Sequence, residues 1–227
     1  MLFSQQILDF YDQFKSLEYP LPRGIKWLNP YLESAEQIME VFYKKFYADE
    51  KERKIILGIN PGRKGAAITG IPFTDSVQLA SSLKIEIPTA YTYEPSADFF
   101  HSMVQAYGGA ELFYRDYYVS SVCPLGFIKK NEKGNWVNFN YYDSSALLKR
   151  VQKFIFNAMR QQLQLPIQTE KAFCLGSGKN YKQLKKWNDQ KGWFNEIVPL
   201  PHPRYVIQYR RKEIDSYIDL YLESLVN

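Results

Sequence analysis

Apolar residues along this chain recur in two spacings, one helical and one in short unbroken runs. Ile7 to Phe14 carries an amphipathic helical pattern. Ser34-Ala35-Glu36-Gln37 has the form of a capping box ahead of Ile38, Met39, Val41, Phe42 and Phe46, which are spaced helically. Lys54 to Ile59 reads as a buried strand that stops at the turn Asn60-Pro61-Gly62. A helix is predicted from Ser96 to Tyr107, with Phe99, Phe100, Met103 and Val104 inward and Gly108 at its end. Tyr117 to Val122 is a second strand, closed by Pro124. The spacing of Leu147, Leu148, Val151, Phe154, Ile155, Ala158 and Met159 predicts a long helix from Ser144 to about Leu163. Ala172 to Leu175 is a third strand, turning at Gly176-Ser177-Gly178 into a basic helix. Ile197 to Leu200 is a fourth, ended by Pro201-His202-Pro203, and a last helix spans about Arg211 to Leu225.

Strands alternating with helices predict an α/β fold: three layers, α/β/α, around a short central parallel four-stranded sheet. No repeat, low-complexity tract or linker divides the chain, so a single domain over 1–227 is expected. In parallel sheets of this kind the site lies beyond the carboxyl ends of the strands. Each unusual segment falls at such an end: Asn60 to Phe73, Ser121 to Gly126, Gly176 to Lys179 and His202 to Arg204. That convergence predicts an enzyme.

Composition narrows the class. With 45 % hydrophobic and 23 % charged residues the chain reads as soluble and globular. No apolar run approaches the ~20 residues that span a bilayer, so no membrane association is expected. The start, MLFSQQILDFYDQF, has no basic flank before an apolar stretch and reads as a helix rather than a signal peptide. Cys123 and Cys174 lie inside apolar runs, as reduced core thiols would, and a cytoplasmic protein is expected. With only His101 and His202 besides, no metal site is predicted. The net charge of +5 and pI of about 8.9 permit an acidic partner such as nucleic acid. Most of the 18 tyrosines must be packing residues, but a few are free to stack on bases.

Three familiar motifs fail. Gly178-Lys179 is followed by Asn180 and lacks the upstream glycine of a phosphate-binding loop. A G-x-G-x-x-G fingerprint would need glycine where Tyr181 stands, and no G-x-S-x-G elbow exists. What remains is Gly58-Ile59-Asn60-Pro61-Gly62-Arg63-Lys64-Gly65-Ala66-Ala67-Ile68-Thr69-Gly70-Ile71-Pro72-Phe73, a strand end opening into a glycine-rich loop with one amide side chain at its start. Such a loop brings backbone N–H groups close to a ligand, and it is too long for a plain connection.

This segment resembles motif one of the uracil-DNA glycosylase superfamily. G-I-N-P-G followed by T-G-I-P-F is similar to that motif in the single-strand-selective monofunctional and mismatch-specific branches. His202-Pro203-Arg204 resembles a shortened H-P-S-P-R motif of the single-strand-selective branch. Val122-Cys123-Pro124-Leu125 matches its C-P-L segment, and Gly176-Ser177-Gly178-Lys179 sits at its glycine-rich turn. The likeness covers about residues 30 to 225. Ser121 stands where that branch has a base-reading asparagine, the histidine loop is two residues shorter, and Asn131 to Asp143 is an insertion without a counterpart. The pattern resembles that of a divergent, second bacterial type of single-strand-selective enzyme.

The resemblance implies a monofunctional DNA glycosylase that flips a deaminated base from DNA and hydrolyses its glycosidic bond without cofactor or metal. It implies Asn60 as the residue that aims water and His202 as the hydrogen-bond donor to the departing base. Phe73 would stack on the base, backbone N–H groups around Ile59, Gly62 and Gly65 would bind it, and Ser121 would read its edge. Arg204 and Tyr205 would fill the gap left in the DNA. Lys179, Lys182, Lys185 and Lys186 share one basic helix suited to phosphates, although a solvated face explains them equally. DNA, single- or double-stranded, is the expected partner and a monomer the expected state. His101, placed mid-helix in a polar slot, is assigned no role, and Lys64 is the nearest amine for a lyase. A non-catalytic nucleic-acid-binding domain of the same fold is the alternative, and a hydrolase acting on a free nucleoside a third.

Overall fold

The computed structural model describes residues 1–17 and 19–226; Glu18 and Asn227, which the expected single domain includes, lie outside the described residues. In chain order the elements are α1 (Phe3–Asp12), β1 (Ile25–Leu28), α2 (Glu33–Phe46), β2 (Arg53–Gly58), α3 (Ala66–Thr69), α4 (Ser76–Ser81), α5 (Pro95–Ala106), α6 (Ala110–Asp116), β3 (Tyr117–Ser121), β4 (Gly126–Lys130), β5 (Trp136–Phe139), α7 (Ser145–Gln162), β6 (Ile167–Leu175), α8 (Lys179–Lys191), β7 (Glu196–Leu200), α9 (Pro203–Tyr209) and α10 (Ile214–Val226), with a short 3-10 turn at Arg211–Glu213 before α10.

The four strands expected from the apolar runs form one parallel sheet, in the order β3-β2-β6-β7. Helices flank it, which explains why Ile55, Ile56, Leu57 and every residue of β3 are buried whichever way their side chains point. Cys123 and Cys174 are buried free thiols in this core. At its start, β2 is anchored by Arg53, fully buried, which grips both carboxylate oxygens of Asp49 (2.6 and 3.0 Å) and donates to the Tyr114 carbonyl.

Four expectations need correction. The Ser34 capping box is not used: α2 already begins at Glu33, Leu32 stands at the N-cap, and the Ala35 N–H donates to the Leu32 carbonyl (2.9 Å). Ser34 therefore lies inside the first turn, and Val41, on the outer face, is 40 % exposed. The third strand runs from Ile167 rather than Ala172, because its polar first half pairs with neighbouring β-strands at Arg53 and Glu196. A second sheet, antiparallel in the order β1-β4-β5, was not expected at all. The 131–143 insertion is the turn and outer strand of that sheet. Pro203 does not simply end β7; it is the first residue of α9.

Candidate active site

The carboxyl ends of the four parallel strands open into a cavity of about 580 Å³, within the usual range for a small-ligand site. Ile59, Asn60, Gly62, Phe73, Ser121, Lys179, His202, Arg204 and Tyr205 all line it, so nine of the predicted site residues meet in one place. Gly65, Lys182 and Lys185 do not line it.

Asn60 is held by the insertion. Its Oδ1 accepts the Tyr141 N–H (3.2 Å), while its Nδ2 donates to the Phe139 and Pro61 carbonyls (3.4 Å each). A backbone N–H can only donate and a carbonyl can only accept, so these partners fix which end of the amide is oxygen. One lone pair of Oδ1 is left for a water. The Tyr141 hydroxyl in turn donates to Asn180 Oδ1 (2.8 Å) and its ring stacks on Trp187, which ties the Asn60 loop to α8. From the other side, the N–H groups of Val122 and Cys123 donate to the Gly58 and Ile59 carbonyls, locking the end of β2 to the exit of β3.

His202 is the N-cap of α9: its Nδ1 accepts the Arg204 N–H at 3.1 Å. That bond leaves the proton on Nε2 and makes the ring a neutral donor. Burial pushes its pKa down to about 4, with the positive charge of Arg204 acting in the same direction. The uncharged form is thus favoured by folding; this contribution to stability is complete above 6.5 and is lost as pH falls through about 4. We expect single-turnover base release to show no His202-dependent inflection between about pH 5 and 8. A limb centred near 6.5 that vanishes in His202→Ala would show instead that the ring titrates as an ordinary histidine.

Phe73 adopts φ +52°, an uncommon conformation for a side chain of this size. It stacks on Phe100 (5.1 Å between centroids) and meets the His202 ring at 5.8 Å. Gly58 beneath it leaves room for the ring, because a Cβ there would lie 2.9 Å from the Phe73 ring and force it to shift. Ser121 is buried at the end of β3. Arg204 and Tyr205 are exposed at the mouth on α9, together with Tyr209, which is 65 % exposed and whose ring lies tilted against Tyr205 at 5.6 Å between centroids.

Glu94 is a site residue that the sequence pattern did not reveal. Its backbone N–H is held by Asp75 Oδ2 (2.6 Å), and its carboxyl lies against the Gly62–Gly65 loop. A Cβ on Gly65 would overlap it at 2.1 Å, so Gly65 makes room for Glu94 rather than lining the cavity. Burial and then the Asp75 charge raise the Glu94 pKa, opposed by Arg204 and Lys64. Asn138, Asn140 and Tyr142 of the insertion also line the cavity and were likewise unseen. His101 does not occupy a polar slot: it is 1 % exposed, its Nε2 meets Thr74 Oγ1 at 3.2 Å, and burial lowers its pKa to about 3. Lys64 is exposed and outside the lining.

On α8, Lys179 stands at the cavity and Lys182, Lys185 and Lys186 are exposed beyond it, with Lys185 paired to Asp189. Reversing charge at Lys182 and Lys185 is expected to weaken DNA binding regardless of sequence and flatten its salt dependence. Lys185 should give the smaller share, because Asp189 already offsets it. An unchanged slope of log affinity against log salt would assign this face to bulk solvent. Among the described residues no group of three or more His, Cys, Asp or Glu is placed to hold a metal, and no helix is long and apolar enough to cross a membrane.

The family model of the uracil DNA glycosylase superfamily matches residues 45–226. A crystal structure of wild-type SMUG2 from Pedobacter heparinus superposes with a TM-score of 0.95 at 44 % identity, covering 99 % of this chain and 97 % of that one. Among curated proteins, none matches.

Proposed function

The chain belongs to the uracil DNA glycosylase superfamily, and from that premise we propose that it is a monofunctional DNA glycosylase removing uracil or another deaminated base, xanthine or hypoxanthine, in base excision repair. The observation that carries this is the pairing across one cavity of an amide locked by backbone partners, Asn60, with a neutral imidazole whose Nε2 keeps its proton, His202.

The reaction breaks the bond between C1′ and the base nitrogen. The electron pair leaves with the base, C1′ becomes cation-like, and a water oxygen then bonds to C1′. The water's proton ends on the released base, leaving an abasic sugar. An amide is no strong base, but the free lone pair of Asn60 Oδ1 can hold water in line with C1′, and a cation-like centre asks for little more. His202 Nε2–H donates to the oxygen on which the leaving base concentrates its charge. A fixed neutral donor suits this task, because it need not be desolvated or reoriented as charge develops. Phe73 offers a ring face to the flipped base, and Ser121 a hydroxyl to its edge. Arg204 and Tyr205 at the mouth would enter the gap left behind, and Lys179 would meet a phosphate. We further propose a single-domain, monomeric and cytoplasmic enzyme.

The test is single-turnover incubation with single-stranded oligonucleotides carrying one uracil, xanthine or hypoxanthine. Strand cleavage that appears only after alkali is the expected result. Cleavage without alkali would favour a lyase using an amine such as Lys64. No cleavage with retained binding would favour a non-catalytic binding domain, and release of base from free nucleosides alone a nucleoside hydrolase.

A further inference from the structure

The antiparallel sheet has an outer face that the core does not explain. Cross-strand register places Lys26, Ile128 and Asn138 on one face, and Lys130 opposite Trp136 on the same face. The inward face carries Trp27, Phe127 and Phe139, which pack into the hydrophobic core. Trp136 takes no part in that core and is half-buried. Two ammonium groups attend its ring, Lys26 Nζ at 4.9 Å and Lys130 Nζ at 5.5 Å from the centroid.

Two further features give this face a direction and a charge. Asn138, two residues and about 6.8 Å along the strand from Trp136, accepts the Arg63 N–H through Oδ1 (3.0 Å) and lines the cavity. The face is therefore continuous with the site. Residues 126–139 hold three lysines, Lys129, Lys130 and Lys133, against the lone acid Glu132. No ion pair among the described residues involves these lysines or Lys26.

An aromatic ring flanked by cations, two residues along the strand from Asn138 in the lining of a cavity proposed to take one nucleotide, has the chemistry of a single-strand stacking platform. We propose that this face holds the single-stranded nucleic acid next to the flipped nucleotide, with an adjacent base stacked on Trp136 and Lys26 and Lys130 on the flanking phosphates. A duplex cannot use it equally, because its bases are already stacked on each other. The proposal rests on the glycosylase reading for the position of the flipped nucleotide, but its test does not depend on excision.

The experiment measures affinity of the full chain for a labelled, undamaged single-stranded oligonucleotide and for its duplex, by fluorescence anisotropy across a salt series. Trp136→Ala should weaken single-strand binding about tenfold, with a smaller effect on the duplex, and Trp136→Phe should keep most of the affinity. Lys26→Ala combined with Lys130→Ala should lower the single-strand salt slope by about 1.4, two phosphate contacts' worth. If Trp136→Ala perturbs folding, the lysine pair still decides, because both side chains are exposed. Unchanged affinity and slope in the variants overturn the proposal while leaving excision by the wild type, and hence the proposed function, intact. A wild type that excises nothing yet loses single-strand affinity through Trp136 sinks the enzymatic reading and upholds the platform. A wild type that binds no single strand overturns the platform outright.

Discussion

Alanine at His202 is expected to slow base release by about 10²–10³-fold, the usual effect of removing one preorganised donor to a developing anion. The size follows from how little freedom the ring has. The Arg204 N–H fixes the tautomer and burial keeps the ring uncharged, so Nε2–H is presented in a single state. The same substitution removes the N-cap of α9 and costs about 1 kcal/mol of stability. That is a small part of the stability of a chain this size, so folded protein remains to be assayed. Asn60→Ala should lower the rate by at least about tenfold, since it removes positioning of the water but leaves the leaving group assisted. Single-turnover rates beside thermal melts separate chemistry from folding. Wild-type rates in a well-folded variant would strip that residue of its assigned role.

The second large effect concerns which base is released. An asparagine presents a fixed donor and a fixed acceptor, which suits the edge of uracil and rejects the amino group of cytosine. Ser121 presents one rotatable hydroxyl on a shorter stem. It dictates less and leaves more room in the 580 Å³ cavity. We therefore expect xanthine or hypoxanthine to be excised at a rate comparable to uracil or above it. Ser121→Asn should move the ratio toward uracil by at least about tenfold, because buried hydrogen-bonding positions discriminate by orders of magnitude. The measurement compares uracil and xanthine oligonucleotides for both proteins. Strict uracil selectivity in the wild type, or an unchanged ratio in the variant, would show that Ser121 does not read the base.

The parallel sheet and its strand-end site were legible in the sequence because the signals are local. A strand buried on both faces must be apolar throughout, and Asn60-Pro61-Gly62 and Pro201-His202-Pro203 mark where such strands stop. The antiparallel sheet was not legible, since β1 and β4 are short, half-polar and about a hundred residues apart. Tyr141 was invisible for a different reason. Its backbone N–H holds Asn60, a role any non-proline residue can fill, so side-chain identity carries no signal. Glu94 reads as an ordinary polar residue before Pro95; only the folded loop brings it against Gly65. At Pro203 the chemistry was visible but its direction was mistaken, because proline ends a strand and begins a helix equally well.

The central claim is that one cavity, through Asn60 and His202, hydrolyses the bond between base and sugar. The most direct test is single-turnover release of free uracil from a single-stranded oligonucleotide, by the wild type and by the folded double variant Asn60→Ala, His202→Ala. The account predicts release of one base per abasic site by the wild type and loss of nearly all of that rate in the double variant. A folded double variant that releases uracil as fast as the wild type would contradict it, by placing the chemistry elsewhere.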